Sequence, residues 1–253
     1  MMKELDIVKR NSSSVRLNCI EELLVRIDAY IVELYLAFDP QPDNPREWSS
    51  NIAEFICFHN RYQLGDKHDY RTPADFLRWL ETREARYYLV RDLYLYDHSG
   101  LTISLSPFSC PWDSGQIGWV RVDLRVICQQ LYPGSKFGRL NAASRKRVFE
   151  FADQAIQNEV DTYDIFLRGD VFCYCIQVRQ KLNETDYRVH YDLYDSLYNC
   201  FGLESLRYYV QNSMFHVLRS IGLEADEVVR AYEEICSSSD WLAVEGDAIG
   251  SEC

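Results

Sequence analysis

The chain has 253 residues, 47% of them apolar, and a formal net charge of −12. That is enough apolar material for a sizeable core, yet no run of 18 apolar residues marks a membrane span. The acidity sits mainly in residues 223–253, where nine acids face one base, Arg230. An extended basic surface is therefore not expected, and neither is direct nucleic-acid binding.

The first sixteen residues, MMKELDIVKRNSSSVR, are polar and lack the apolar run of a signal peptide, so the expected compartment is the cytoplasm. Ile20, Leu23, Leu24 and Ile27 predict a short helix within an N-terminal extension, residues 1–28. AYIVELYLAF (29–38) predicts a strand, DPQPDNPREW (39–48) a loop, and NIAEFICFHNRY (51–62) a second strand. Thr72 and Pro73 open a helix that ends near Arg86, with Asp75 at the capping-box position.

Residues 87–122 alternate as a three-stranded meander. Its first connection is Asp97-His98-Ser99-Gly100, with Gly100 as the residue suited to positive φ, and its second is Pro107 to Gln116. Residues 123–131 predict a short helix, and Asn141 caps a long one that Gly169 ends. Strands follow near 170–180 and 186–198, then two amphipathic helices before an acidic tail, 237–253. Strands and helices segregate, so the expected class is α+β with a mainly antiparallel sheet, its core over 29–205 and C-terminal helices over 206–236.

The nine cysteines are odd in number and contain no C-x-x-C pair, which argues against a zinc ribbon or a thioredoxin-like site. Cys57, Cys128 and Cys173 have apolar neighbours and read as small core residues, and CYC (173–175) places two thiols on one strand face. No cofactor is implied. GSKFG (134–138) lacks phosphate-loop spacing, and SRKR (144–147) reads as a solvated helical turn.

The stretches YDHSGLTIS, PFSCPWDSGQIGWVRV and EVDTYDIFLRGDV resemble a family of proteins of unassigned activity encoded by bacteriophages, prophages and conjugative elements. The resemblance covers about residues 30–205, and CPWDSGQ is its most specific part. It implies a mobile-element origin and a bacterial host cytoplasm.

The signature region offers three chemistries. Asp97, His98, Cys110 and Asp113 are the candidate catalytic residues. His98 and Cys110 would form a thiol site only if the long connection folds back along a strand of about 20 Å. Asp97, His98 and Asp113, joined by Glu159, Asp161, Asp164 or Asp170, would suit a magnesium or manganese ion, although no metal signature fixes such a site. The third reading is architectural, with Asp-His-Ser-Gly and Asp-Ser-Gly as turn formulas and Cys110 and Trp112 packing the loop onto the core.

Two function classes follow. One is a non-enzymatic protein-binding inhibitor of a bacterial defence system, of the anti-CRISPR or anti-restriction kind. Tyr94, Tyr96, Trp112 and Gln116 would be its contacts, and Glu224, Asp226, Glu227, Glu233 and Glu234 would engage a basic host partner. The other is a small metal- or thiol-dependent hydrolase or nucleotide-processing enzyme that uses residues 97–113.

Overall fold

The computed structural model describes residues 5–10 and 19–243. Among them are nine strands and five α-helices, and every strand pairing is antiparallel, so the fold is α+β as expected. The chain forms two compact units. Residues up to 42 and from 169 onward make unit 1, and residues 43–168 make unit 2. Each unit has its own buried cluster.

Unit 1 is a five-stranded sheet in the order β1-β2-β3-β8-β9. Its strands are β1 (Leu5–Arg10), β2 (Cys19–Ile27), β3 (Tyr30–Phe38), β8 (Val171–Lys181) and β9 (Tyr187–Phe201). The register pairs Val32 with Val178 and Leu34 with Ile176, which aligns one apolar face across the central strands. That face packs on α4 (Gly202–Ser220) and α5 (Ala225–Ser238) through Leu206, Val210, Met214, Val228 and Ile235. Each such side chain contributes about 1.5–3 kcal/mol by leaving water.

The stripe at Ile20, Leu23, Leu24 and Ile27 belongs to strand β2, not to a helix. Leu23, Val25 and Ile27 join the core, while Leu24 points to the opposite face and is also buried. The burial of Leu24 breaks the alternation by which a strand is recognised, although Arg26 on the same face stays exposed. The buried carboxylate of Glu21 then ties the unit together. It meets Lys9 at 2.8 Å, accepts from the Asp240 amide at 3.0 Å, and accepts from the Ser239 hydroxyl. Of the acidic tail, residues 244–253 lie outside the described residues.

Unit 2 is a four-stranded sheet in the order β4-β7-β5-β6. The strands are β4 (Ala53–Cys57), β5 (Tyr88–Asp97), β6 (Leu101–Ser104) and β7 (Ser114–Asp123), and the helices are α1 (Pro73–Leu80), α2 (Leu124–Leu131) and α3 (Ala142–Arg168). The capping box of Thr72 and Asp75 starts α1 as expected, but the helix stops at Leu80 and only a short 3-10 turn follows at Ala85–Tyr87. The Arg121 guanidinium docks α1 on β7. It lies 4.4 Å from the Trp79 ring and 5.1 Å from the Tyr88 ring, and it bonds Glu54 at 2.7 Å. Gly118 lets β4 approach β7, because a Cβ there would sit 1.9 Å from the Ile56 carbonyl oxygen.

The meander expected over 87–122 is corrected in its order. β5 is central, with β6 on one side and β7 on the other. Because both neighbours are antiparallel to β5, the connection after β6 must return to the end of β5 where the first turn lies.

The acids of α3 explain how this sheet ends. Glu159 accepts from the amides of Ile52 at 2.8 Å and Ala53 at 3.0 Å, beside β4. Asp164 accepts from the Ile103 amide of β6 at 2.8 Å. Five residues apart on a helix is a rotation of about 140°, so the two carboxylates reach opposite edges of one sheet. Arg46 completes the β4 side: its guanidinium bonds the Ala53 carbonyl at 2.9 Å, Asp66 at 2.7 Å and Glu159 at 2.7 Å, and stacks 3.9 Å from the Phe55 ring. Asp66 takes the Phe55 amide at 2.8 Å, and its own amide bonds the Phe55 carbonyl at 2.9 Å. Burial opposes the Arg46 charge, but its two carboxylates outweigh that and hold its pKa above the ordinary arginine value.

Candidate functional site

The returning connection brings three of the four candidate catalytic residues together. The Asp97 amide donates to the Asp113 carbonyl at 2.8 Å, so the loop closes onto the end of β5. Asp113 Oδ2 then lies 3.2 Å from His98 Nδ1 and accepts from Cys110 Sγ at 3.9 Å. The Ser114 hydroxyl donates to the Cys110 carbonyl. The first turn is pinned by the His98 amide on the Gly100 carbonyl at 3.2 Å. Its left-handed residue is Ser99, at φ 59°, and not the expected Gly100. Asp97 turns away from the group: Arg61 holds its Oδ2 at 3.0 Å and the Tyr62 hydroxyl bonds its Oδ1 at 3.4 Å.

The order of these groups limits their chemistry. Asp113 stands between the thiol and the imidazole, so the sulfur faces a carboxylate. Nucleophilic thiols commonly take a histidine or a cation on sulfur, and here the group on Cys110 Sγ is a carboxylate. His98 and Asp113 are also well exposed, with side-chain accessibilities of 62% and 39%, so little shields a reaction from water.

Most acids of the metal reading have other partners. Glu159 and Asp164 are taken up by the two sheet edges. Asp161 accepts from Gln157 at 2.7 Å along its own helix, and Asp170 belongs to unit 1. Among the described residues, no group of three or more His, Cys, Asp or Glu could hold a metal ion.

The candidate contacts also separate. Trp112 does not pack onto the core: it is 90% exposed at the tip of the closed loop. Tyr94 and Tyr96 are half-buried, and the Tyr96 ring lies 5.6 Å from Phe108 and 6.0 Å from His98, so it packs against the loop. Gln116 bonds Asp92 at 3.0 Å and the Gly118 carbonyl at 3.2 Å. On α5, Glu224 and Glu227 form a reciprocal capping box and Asp226 pairs with Arg230 at 3.0 Å. Of the acidic set, Glu233 and Glu234 present exposed carboxylates that bond no other group among the described residues.

Sequence reasoning missed the outer face of the unit 1 sheet. Cys19, Tyr35, Phe38, Cys173, Cys175 and Tyr198 line a groove there of about 160 Å³. Cys173 and Cys175 share that face, as the i, i+2 spacing predicts. Burial, then the nearby Asp39 and the two other thiols, push Cys173 up to about 11, which keeps it protonated at neutral pH. Among the other cysteines read as core, Cys128 is buried and Cys57 is half-buried, with its thiol pushed up to about 12, chiefly by desolvation. The signal for this surface was the run of tyrosines at 187, 191, 194 and 198 on β9, which a strand reading alone leaves unplaced.

No family model matches the chain, and no match is found among curated proteins or solved structures. No helix of the described residues is long and apolar enough to cross a membrane.

Proposed function

We propose that this protein works by binding another protein, with Trp112 as the anchor, and that its partner is a component of a bacterial defence system. The observation that carries the reading is the exposure of Trp112 on a loop tied at four points around Asp113 and Cys110. A loop whose backbone is already closed has less conformational entropy to lose on docking, and tryptophan is among the residues most enriched at binding hot spots. In this reading His98, Cys110 and Asp113 are the frame that presents the ring. The resemblance of the same motifs to proteins of mobile elements is the reason to test host defence nucleases first. Glu233 and Glu234 would meet Arg or Lys that otherwise hold phosphates.

Affinity capture from prophage-bearing cells, with the wild-type chain and Trp112→Ala as baits, tests this. One stoichiometric partner is expected with the wild type, weakened by about 2–4 kcal/mol with the variant. Full binding by Trp112→Ala removes the anchor from the mechanism, and failure of the wild type to retain any partner removes the reading. A hydrolase remains the second reading, favoured by the convergence of His98 and Cys110 on Asp113 Oδ2. It requires a turnover that Cys110→Ala and His98→Ala each abolish while thermal stability is kept.

A further inference from the structure

Three pieces of sequence with no evident relation meet on unit 2. Arg86 and Tyr87 sit in the 3-10 turn before β5, Phe137 and Gly138 in a second 3-10 turn at Phe137–Arg139, and Arg145 and Phe149 on the first turns of α3. Arg145 and Phe149 are four residues apart, so they share a helix face. Together these six residues line an open hollow of about 510 Å³. That is within the range of small-molecule sites, about 300–1,000 Å³.

We propose that this hollow binds a phosphate-bearing aromatic ring of the size of a nucleoside monophosphate. Its only charged lining groups are two guanidiniums, and no carboxylate lines it. Arg86 lies 4.8 Å from the Tyr87 ring and Arg145 lies 5.6 Å from the Phe137 ring, so both cations are held over aromatic faces. Neither has a carboxylate partner among the described residues. A third guanidinium over Tyr87, that of Arg125, is neutralised by Asp123 and Glu84, each at 2.6 Å. In a chain of net charge −12, two uncompensated arginines facing one concavity mark a place for an anion.

The guanidinium fork matches phosphate oxygens. The exposed ring of Phe149 offers a face on which a base can stack, a contact that inorganic phosphate alone would leave unused. GSKFG lacks the Gly-rich spacing that wraps a triphosphate, and two guanidiniums suit a single phosphate. This site is independent of the Trp112 loop and of any protein partner.

Calorimetric titration of the full chain with adenosine 5′-monophosphate, inorganic phosphate and adenosine tests the proposal. One saturable site is expected for the nucleotide, with phosphate and adenosine each weaker by about tenfold or more. Arg86→Ala and Arg145→Ala should each lose about tenfold in nucleotide affinity, and circular dichroism should show an intact fold. Phe149→Ala should weaken the nucleotide and leave phosphate unchanged, while Arg147→Ala, outside the hollow, should change neither. Equal affinity for the nucleotide and inorganic phosphate, unchanged binding in both arginine variants, or no saturable binding overturns it. Tighter binding of a single-stranded oligonucleotide than of the mononucleotide assigns the hollow to nucleic acid and overturns it as well.

Discussion

The two sheets of this protein treat their edges in opposite ways. In unit 2 the outer edge of β4 is satisfied at Ala53 and Phe55 by Glu159, Arg46 and Asp66, and β6 is capped at Ile103 by Asp164. In unit 1, β9 runs for 15 residues as an edge with no strand paired to its outer side among the described residues. It carries tyrosines there, Tyr191 being 83% exposed. A closed edge cannot template a neighbour, whereas an open one presents unpaired backbone groups that can. The difference teaches that the buried charges of unit 2 serve closure, and that the polar residues of its signature region need not imply a reaction.

The sharpest way to break this contrast is Arg46→Ala. It leaves Asp66 and Glu159 without their cation and should cost about 3–5 kcal/mol, read by urea unfolding; a loss below about 1 kcal/mol would show that the closure is not structural. Asp164→Ala should cost about 1–3 kcal/mol by orphaning the Ile103 amide. Amide hydrogen exchange should then show Ile103 losing protection in the variant, while Ile52 and Ala53 keep theirs.

Alkaline pH probes the cores instead. Cys57 in unit 2 and Cys200 in unit 1 are pushed up to about 12, mainly by desolvation, and Cys173 in unit 1 to about 11. Each native thiol keeps its proton after the unfolded thiol, at 9.0, has lost it. Stability is therefore full below pH 9 and falls as pH rises through the native values. With two of the three thiols in unit 1, the fall should be steeper there, and Cys200→Ala should flatten the stability profile between pH 9 and 11. The smallest effect is expected for Tyr191→Ala on the open edge, within about 0.5 kcal/mol by thermal unfolding. A larger loss would mean that this tyrosine is held by contacts its exposure does not suggest.

Much of this was legible in the residues. Thr72-Pro73 with Asp75 marked the start of α1, Asn141 and Gly169 bracketed α3, and the alternation in β5, β6 and β8 gave strands in the right places. Alternation fixes which face a residue points to but not which strand lies beside it, so the central place of β5 was hidden. With it was hidden the return of Asp113 to His98. Glu159 and Asp164 looked like metal ligands because a carboxylate on a helix reads the same whether it meets an ion or a backbone amide. β2 looked helical because Leu24, on the face opposite the core, is buried as well. The hollow at Arg86 and Arg145 was out of reach because its parts are spread over 64 residues.

The insertion of unit 2 between β3 and β8 sets an order on synthesis. On the ribosome, β3 emerges well before β8, and the pair Phe38 and Phe172 must wait for 133 intervening residues to be made. Unit 2 is continuous in sequence and completes itself once α3 has emerged, and α3 alone supplies the caps for both of its sheet edges. Until then β4 and β6 are exposed in the nascent chain, and the first three strands of unit 1 remain an unfinished sheet throughout. The interval between β3 and β8 is therefore when this protein most needs a chaperone.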